Sequence, residues 1–180
     1  MEPWNVLLTV RPAPGAVHEL LSGLRAHGTF RATSFKYVCV GVVDDMAAFL
    51  DLLLETQRSG AAWAAHIARV VPIASTFEFT AESLLAELKI ATAIMLPHVP
   101  EARFFVRVER RGMAGKVHSG ELELALADHL ADLAASRGCI LKVSFEDPDF
   151  IVAVETLETQ GGVALITRDL RQRYPFVQVR

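Results

Sequence analysis

No apolar run in the chain approaches the ~20 residues that a bilayer-spanning helix needs, so no membrane span is expected. The start MEPWNVLL opens with an acid where a secretory signal would carry basic residues, which makes the cytoplasm the expected address. Cysteine is scarce. Cys39 and Cys139 lie far apart, and neither has a second Cys or a His at metal-ligand spacing, so both read as buried, reduced thiols rather than as a zinc or redox pair. There is no Gly-x-Ser-x-Gly elbow and no glycine-rich dinucleotide motif. The loop ends in Gly115-Lys116 as a phosphate-binding Walker sequence would, but Val117 follows where Ser or Thr is required and Arg110 stands at the first glycine position. That motif is therefore absent, and neither a cofactor nor a metal site is expected. The histidines are scattered, and only His118 adjoins a basic loop.

What the chain does hold is apolar and periodic. With 180 residues, 52% of them hydrophobic and 22% charged, it can bury the core of one domain or two small ones. Trp4 to Val10 alternates as a strand and breaks at RPAPG. Val17, Leu20, Leu21 and Leu24 then recur at helical spacing over Ala16 to Ala26, with His27-Gly28 as the stop. Extended pieces follow near Thr29–Thr33 and Phe35–Val43. Asp44 or Asp45 can cap a helix that buries Phe49, Leu50, Leu53 and Leu54, and His66 to Ile73 closes the series as a strand. The order β-α-β-β-α-β over residues 1–75 is that of a ferredoxin-like unit. Ser75 to Thr80 reads as an extended link leading out of it.

The second half repeats no sequence of the first. Ala81 to Leu96 is expected to be a helix with Leu84, Leu85 and Leu88 on its inner side, ended by Pro97 and Pro100. Arg103 to Arg110 is a strand whose Phe104, Val106 and Val108 point one way while Arg103, Phe105, Arg107 and Glu109 point the other. Ser119 is the expected N-cap of a helix with Leu122, Leu126, Leu130 and Leu133 on its apolar face and Gly138 at its end. Strands at Cys139–Phe145, Phe150–Leu157 and Val163–Thr167 complete a small α/β domain. Phe104, Phe145, Phe150 and Phe176 read as core, and Phe105 as the exposed ring that could stack on a base.

Charge is unevenly placed. The formal net charge is only −3, yet residues 103–118 carry five positive side chains against one negative, and residues 168–180 carry four against one. The loop Arg110, Arg111, Gly112, Gly115 and Lys116 runs to the start of the Ser119 helix, whose unpaired amides add to any preference for anions. Arginines on the outer face of a strand are commonly solvated or paired with neighbouring acids, and Glu109, Glu121 and Glu123 stand close in sequence. Both readings remain open on charge alone. Glu146, Asp147 and Asp149 around Pro148 are read as turn chemistry rather than as cation ligands.

From about residue 77 onward, FFVRVERRG, SGELELAL, VSFEDPDFIVAVETL and GGVALITRDLRQRYPF follow one another in an order that resembles a THUMP domain, an RNA-binding module of tRNA-modifying enzymes. The chain is most similar in kind to free-standing THUMP proteins related to the adaptor of tRNA cytidine acetylation. DPDFIVAVE, a proline turn into a strand that ends in an acid, is the most specific part. The resemblance implies an α/β (α+β) protein with an N-terminal ferredoxin-like domain over 1–75 and a THUMP domain over 76–180. It also implies binding of tRNA at the acceptor stem and 3′ end, through phosphate contacts from Arg103, Arg107, Arg110, Arg111 and Lys116, with Lys142 and Arg168 as further contacts. Because the enzymatic relatives add a catalytic domain and this chain stops at Arg180, the expectation is an adaptor. Such an adaptor would have no reaction of its own and would present tRNA to a separate modifying enzyme such as an acetyltransferase. The competing reading is a protein-interaction module of the same fold with little RNA affinity, its arginines meeting a partner's acidic surface.

Overall fold

The computed structural model describes residues 3–179. Among them are two β-sheets and five α-helices, a mixed α/β architecture divided into two compact units. One unit comprises residues up to Ile73 together with Leu170–Val179, and the other is Ala74–Asp169. The last ten of these residues, which the sequence places with the second half, thus return to the first unit.

In the first unit the elements are β1 (Val6–Val10), α1 (Ala16–Leu24), β2 (Thr29–Ala32), β3 (Val38–Val42), α2 (Met46–Arg58) and β4 (Ile67–Pro72), with a 3-10 turn at Ala62–His66 before β4. The strands form one sheet in the order β2-β3-β1-β4, all neighbours antiparallel. β1 is central, and Val6, Leu7 and Leu8 are fully buried. Asp45 caps α2 by accepting the Ala48 N–H at 2.9 Å, and Phe49, Leu50 and Leu53 turn its stripe into the core. The returning segment is held by the burial of Tyr174, Phe176 and Val177, by the Val70 N–H donating to the Phe176 carbonyl at 2.8 Å, and by Asp51 of α2. Asp51 accepts from the Tyr174 hydroxyl at 2.7 Å and from Arg173 at 2.8 Å. Those hydrogen bonds, Tyr174 first, hold the Asp51 carboxyl below the usual carboxylate range. Burial pushes the Cys39 thiol of β3 up to about 11, which keeps it protonated and inert at neutral pH.

The second unit contains β5 (Ser75–Glu78), α3 (Leu84–Met95), β6 (Glu101–Glu109), α4 (Ser119–Ser136), β7 (Ile140–Val143), β8 (Phe150–Leu157) and β9 (Gln160–Thr167), and a short α5 (Arg168–Arg173) begins at its end. Its sheet runs β5-β9-β8-β6-β7, with β6 parallel to both its neighbours. Ser75–Glu78 is therefore not a link but the edge strand beside β9. The helix expected from Ala81 starts at Leu84, because Thr80 and Ser83 bond each other's backbone N–H at 2.9 and 3.2 Å and hold the intervening residues as a turn. Phe104, Val106 and Val108 of β6 pack with Leu84 and Leu88 of α3 and with Leu126 and Leu130 of α4 in one core, as the alternation in β6 requires.

Candidate nucleic-acid interface

β6 carries its charged face exactly opposite that core, and acids meet most of the cations there. At the start of the strand, Arg103 donates to Asp147 at 2.7 Å, and Arg168 reaches Asp147 at 2.8 Å and Asp149 at 2.9 Å. The backbone closes the same cluster. The Arg103 N–H donates to the Asp149 carboxylate at 2.7 Å, and the Asp149 N–H returns a bond to the Arg103 carbonyl at 2.7 Å. That N–H first, and then the charges of Arg103 and Arg168, hold the Asp149 carboxyl below the usual range. The acids of the Asp-Pro-Asp turn thus serve two arginines. Among the described residues no group of three or more His, Cys, Asp or Glu is placed to hold a metal.

Farther along, β6 outruns its short neighbour β7, which leaves part of its backbone without a strand partner. Glu123 of α4 supplies one: its carboxylate accepts the Val108 N–H at 2.8 Å and lies 3.6 Å from the Arg107 guanidinium. Beyond the strand, Arg111 is bonded to Glu155 of β8 and lies 3.7 Å from Glu109. This pair is buried, with the Arg111 side chain 11% exposed and that of Glu155 2%. The Arg111 N–H also donates to Thr156 Oγ1 at 3.0 Å. Lys142 of β7 sits on the same sheet face as Arg103, its register partner, and pairs with Glu101.

The aromatic expectations reverse. Phe105 is 6% exposed, with the Phe145 ring 5.2 Å away and the Arg107 guanidinium 5.6 Å from its centre, whereas Phe145 itself is 66% exposed. Alternation correctly turned Phe105 away from the helices, but it could not show that the chain leaving β7 crosses back over that ring. Phe104, Phe150 and Phe176 are core.

Two of the seven cations proposed from the sequence are uncommitted to any acid. Arg110 donates to the Gly112 carbonyl within its own loop, and exposed Lys116 makes no ion pair among the described residues. The Lys116 charge is only a minor contribution to the lowered pKa of Glu82, behind the bonds from that residue's own backbone and from Thr80. The loop is shaped by positive φ at Gly112, Met113 and Gly115. At Gly112 a Cβ would stand 2.9 Å from the Glu158 Cα, so glycine is what lets the loop pass close to the β8–β9 turn. It delivers the chain to α4, whose N-cap is His118 rather than the expected Ser119, and no side chain caps the first-turn amides. Those amides and the two cations face the same end of the helix in sequence, an arrangement that favours an anion.

No protein-family model and no curated protein matches the chain. Solved structures do. PH1313 from Pyrococcus horikoshii matches 92% of this chain with 55% of its own at 10% identity and a TM-score of 0.63. TrmN from Thermus thermophilus matches 94% with 48% of its own at 18% identity and 0.61. A 4-thiouridine synthetase, solved with RNA and ATP, matches 92% with 42% of its own at 13% identity and 0.57. At these identities the likeness is one of fold, and it supports the THUMP-like fold that the sequence motifs resemble. The chain spans about half the length of the structures it matches. Others of similar fold are described as a predicted N6-adenine-specific DNA methylase from Listeria monocytogenes, a possible methylase from Clostridium difficile and a putative methyltransferase complexed with SAH. These likenesses correct the expectation that the protein is not an enzyme. It rested on the lack of a recognisable catalytic motif and on the chain stopping at Arg180, whereas the fold recurs within longer chains, one of them a 4-thiouridine synthetase.

Proposed function

We propose that this protein binds tRNA through its acceptor stem and 3′ end and presents it to the active centre of a tRNA-modifying enzyme. The observation that carries the reading is the loop at the amide end of α4, where Arg110 and Lys116 form no ion pair among the described residues. The fold shared with a synthetase solved on RNA supports it. We read the first unit as ferredoxin-like, supported by its β-α-β-β-α-β order and its β2-β3-β1-β4 sheet. Within this reading Arg110 and Lys116 make the principal phosphate contacts, and Arg107, tied to Glu123 only at 3.6 Å, is the strand residue best able to join them. Arg103, Lys142 and Arg168 contribute after their acids are displaced, and Arg111 acts from within by fixing the loop's start. Phosphate contacts of this kind position an RNA without reading its sequence.

The test is a filter-binding titration of the whole protein with intact tRNA, with tRNA trimmed of its unpaired 3′ end, and with duplex DNA. Intact tRNA should bind best, and log K should fall with log salt at a slope of about −2 for three contacts of roughly −0.7 each. Equal binding of all three nucleic acids would refute the acceptor-end reading, and no measurable binding would refute RNA recognition altogether. The second reading, a protein-interaction module, is favoured by the edge strand β7, where Ile140, Val143 and the adjoining Phe145 are all exposed. It predicts that charged substitutions at those three residues abolish capture of a protein partner and leave tRNA binding unchanged.

A further inference from the structure

The first unit holds a groove of about 390 Å³ between α1 and β2 whose chemistry is one-sided. His18, Ser22 and Arg25 stand three and four residues apart, on one exposed face of α1 and the residue that follows it. Thr29 of β2 borders the groove on the facing side, and Leu21 and Phe30 supply apolar surface. No carboxylate lines the groove. Arg25 is exposed, and among the described residues its guanidinium forms no hydrogen bond or ion pair. Gly28 makes the shape: its φ is 151°, and a Cβ there would stand 2.4 Å from the Val42 carbonyl oxygen. Only glycine lets the chain turn from the end of α1 into β2 so tightly. Phe30 is backed by Phe49 at a centroid distance of 5.5 Å, which fixes its ring as a wall.

A concavity of this size with convergent donors and an apolar side suits a small ligand that is anionic at one end. The planar fork of Arg25 matches phosphate geometry, and the Ser22 hydroxyl and the imidazole can bond its remaining oxygens. We propose that this groove is a nucleotide-binding site, taking a phosphate on Arg25, His18 and Ser22 and laying the base along Leu21 and Phe30. The site is separate from the α4 loop and lies in the other unit. The phosphate can belong to a free mononucleotide or to one residue of a single-stranded RNA.

The experiment is amide NMR of the full chain titrated with 5′-AMP, adenosine, inorganic phosphate and a short single-stranded oligoribonucleotide. AMP should shift Gly28, Thr29 and Phe30 saturably, at least tenfold more tightly than adenosine or phosphate alone. Tighter binding of the oligoribonucleotide at the same amides assigns the site to a strand, and tighter binding of AMP assigns it to a free nucleotide. Arg25→Ala should lose at least tenfold in AMP affinity, as should Ser22→Leu, which fills the groove. Arg58→Ala, an equal loss of charge at the end of α2, should change nothing. The site is refuted by the absence of groove shifts with every probe, by an unaltered Arg25→Ala, or by an equal loss in Arg58→Ala. The AMP arm is independent of the tRNA reading: a protein that fails to bind tRNA but binds AMP here refutes that reading alone.

Discussion

The strand β6 with its neighbours and the loop that follows it are both rich in arginine and lysine, four such residues against three, yet they present different charge to a ligand. On the strand side Arg103, Arg107, Lys142 and Arg168 are met by Glu101, Glu123, Asp147 and Asp149, four cations by four acids. In the loop Arg110 and Lys116 have no such partners among the described residues, while Arg111 is buried against Glu155. Formal charge counted along a sequence is therefore a poor measure of the field a nucleic acid meets. What counts is charge left after the fold has brought acids from α4, β8 and the turn before β8 to the same place.

The largest effect that separates the two regions should come from Arg111, which looks like its loop neighbours in sequence and behaves like neither set. Arg111→Ala removes the Arg111 guanidinium from the buried Glu155 carboxylate beside β6, and breaking a buried pair of this kind costs about 3 kcal/mol. For a chain of this length that is a fall in melting temperature of roughly 6–12 °C. Thermal unfolding followed by circular dichroism checks it, and adding Glu155→Gln to the variant should recover part of the loss. An unchanged melting temperature would show Arg111 to be a ligand-facing residue after all.

Next in size is the loop itself. Arg110→Ala with Lys116→Ala should weaken tRNA binding about tenfold and flatten the salt slope by about 1.4, two phosphate contacts' worth. The melting temperature should stay within about 1 °C, since neither side chain has an acidic partner to lose. Loss of stability without loss of the slope would reverse the roles assigned to the loop and to Arg111.

How these residues would divide was only partly legible in the sequence. Period and punctuation are local, so most of the elements, the stripe of α2 and the inward set Phe104, Val106 and Val108 could be read directly, while β5 reads as a link and α5 is not foreseen. The acids meeting the cations are not local: Glu155 lies 44 residues from Arg111, and Asp149 lies 46 from Arg103. Phe105 shows the same limit. Its direction follows from the pleat, but Phe145, which covers it, arrives from the end of another strand. The return of Tyr174 and Phe176 to the first unit was hidden because a short amphipathic segment carries no mark of which core it joins.

A smaller effect tests whether the strand-side cluster is coupled as drawn. The Asp149 carboxyl has a lowered folded-state pKa, so the stability it contributes is present above the ordinary value near 4 and is lost as pH falls through the lowered one. Asp149→Asn removes that proton uptake. The variant should therefore unfold with a shallower acid limb below about pH 4 and show no added pH dependence between about 5 and 8. Chemical denaturation at a series of pH values gives the comparison, and an acid limb identical to the parent's would uncouple Asp149 from Arg103 and Arg168.

The smallest effect is the one that decides why the strand-side cations are quiet. Lys142 and Glu101 are both more than half exposed, and a pair of that kind contributes about 0–1 kcal/mol to stability. Lys142→Ala should leave the melting temperature unchanged and lower tRNA affinity less than twofold. Two causes would give that result: a Lys142 too far from the RNA to matter, or one that is close but cancelled by Glu101. Glu101→Ala separates them, because removing the acid leaves the lysine's charge standing. If cancellation is the cause, tRNA affinity should rise about twofold at low salt and the gain should vanish as salt screens the exposed charge. We expect the rise, since Lys142 lies on the same sheet face as Arg103 in direct register with it. No change in affinity at any salt would place β7 outside the RNA-binding surface and confine recognition to the loop before α4.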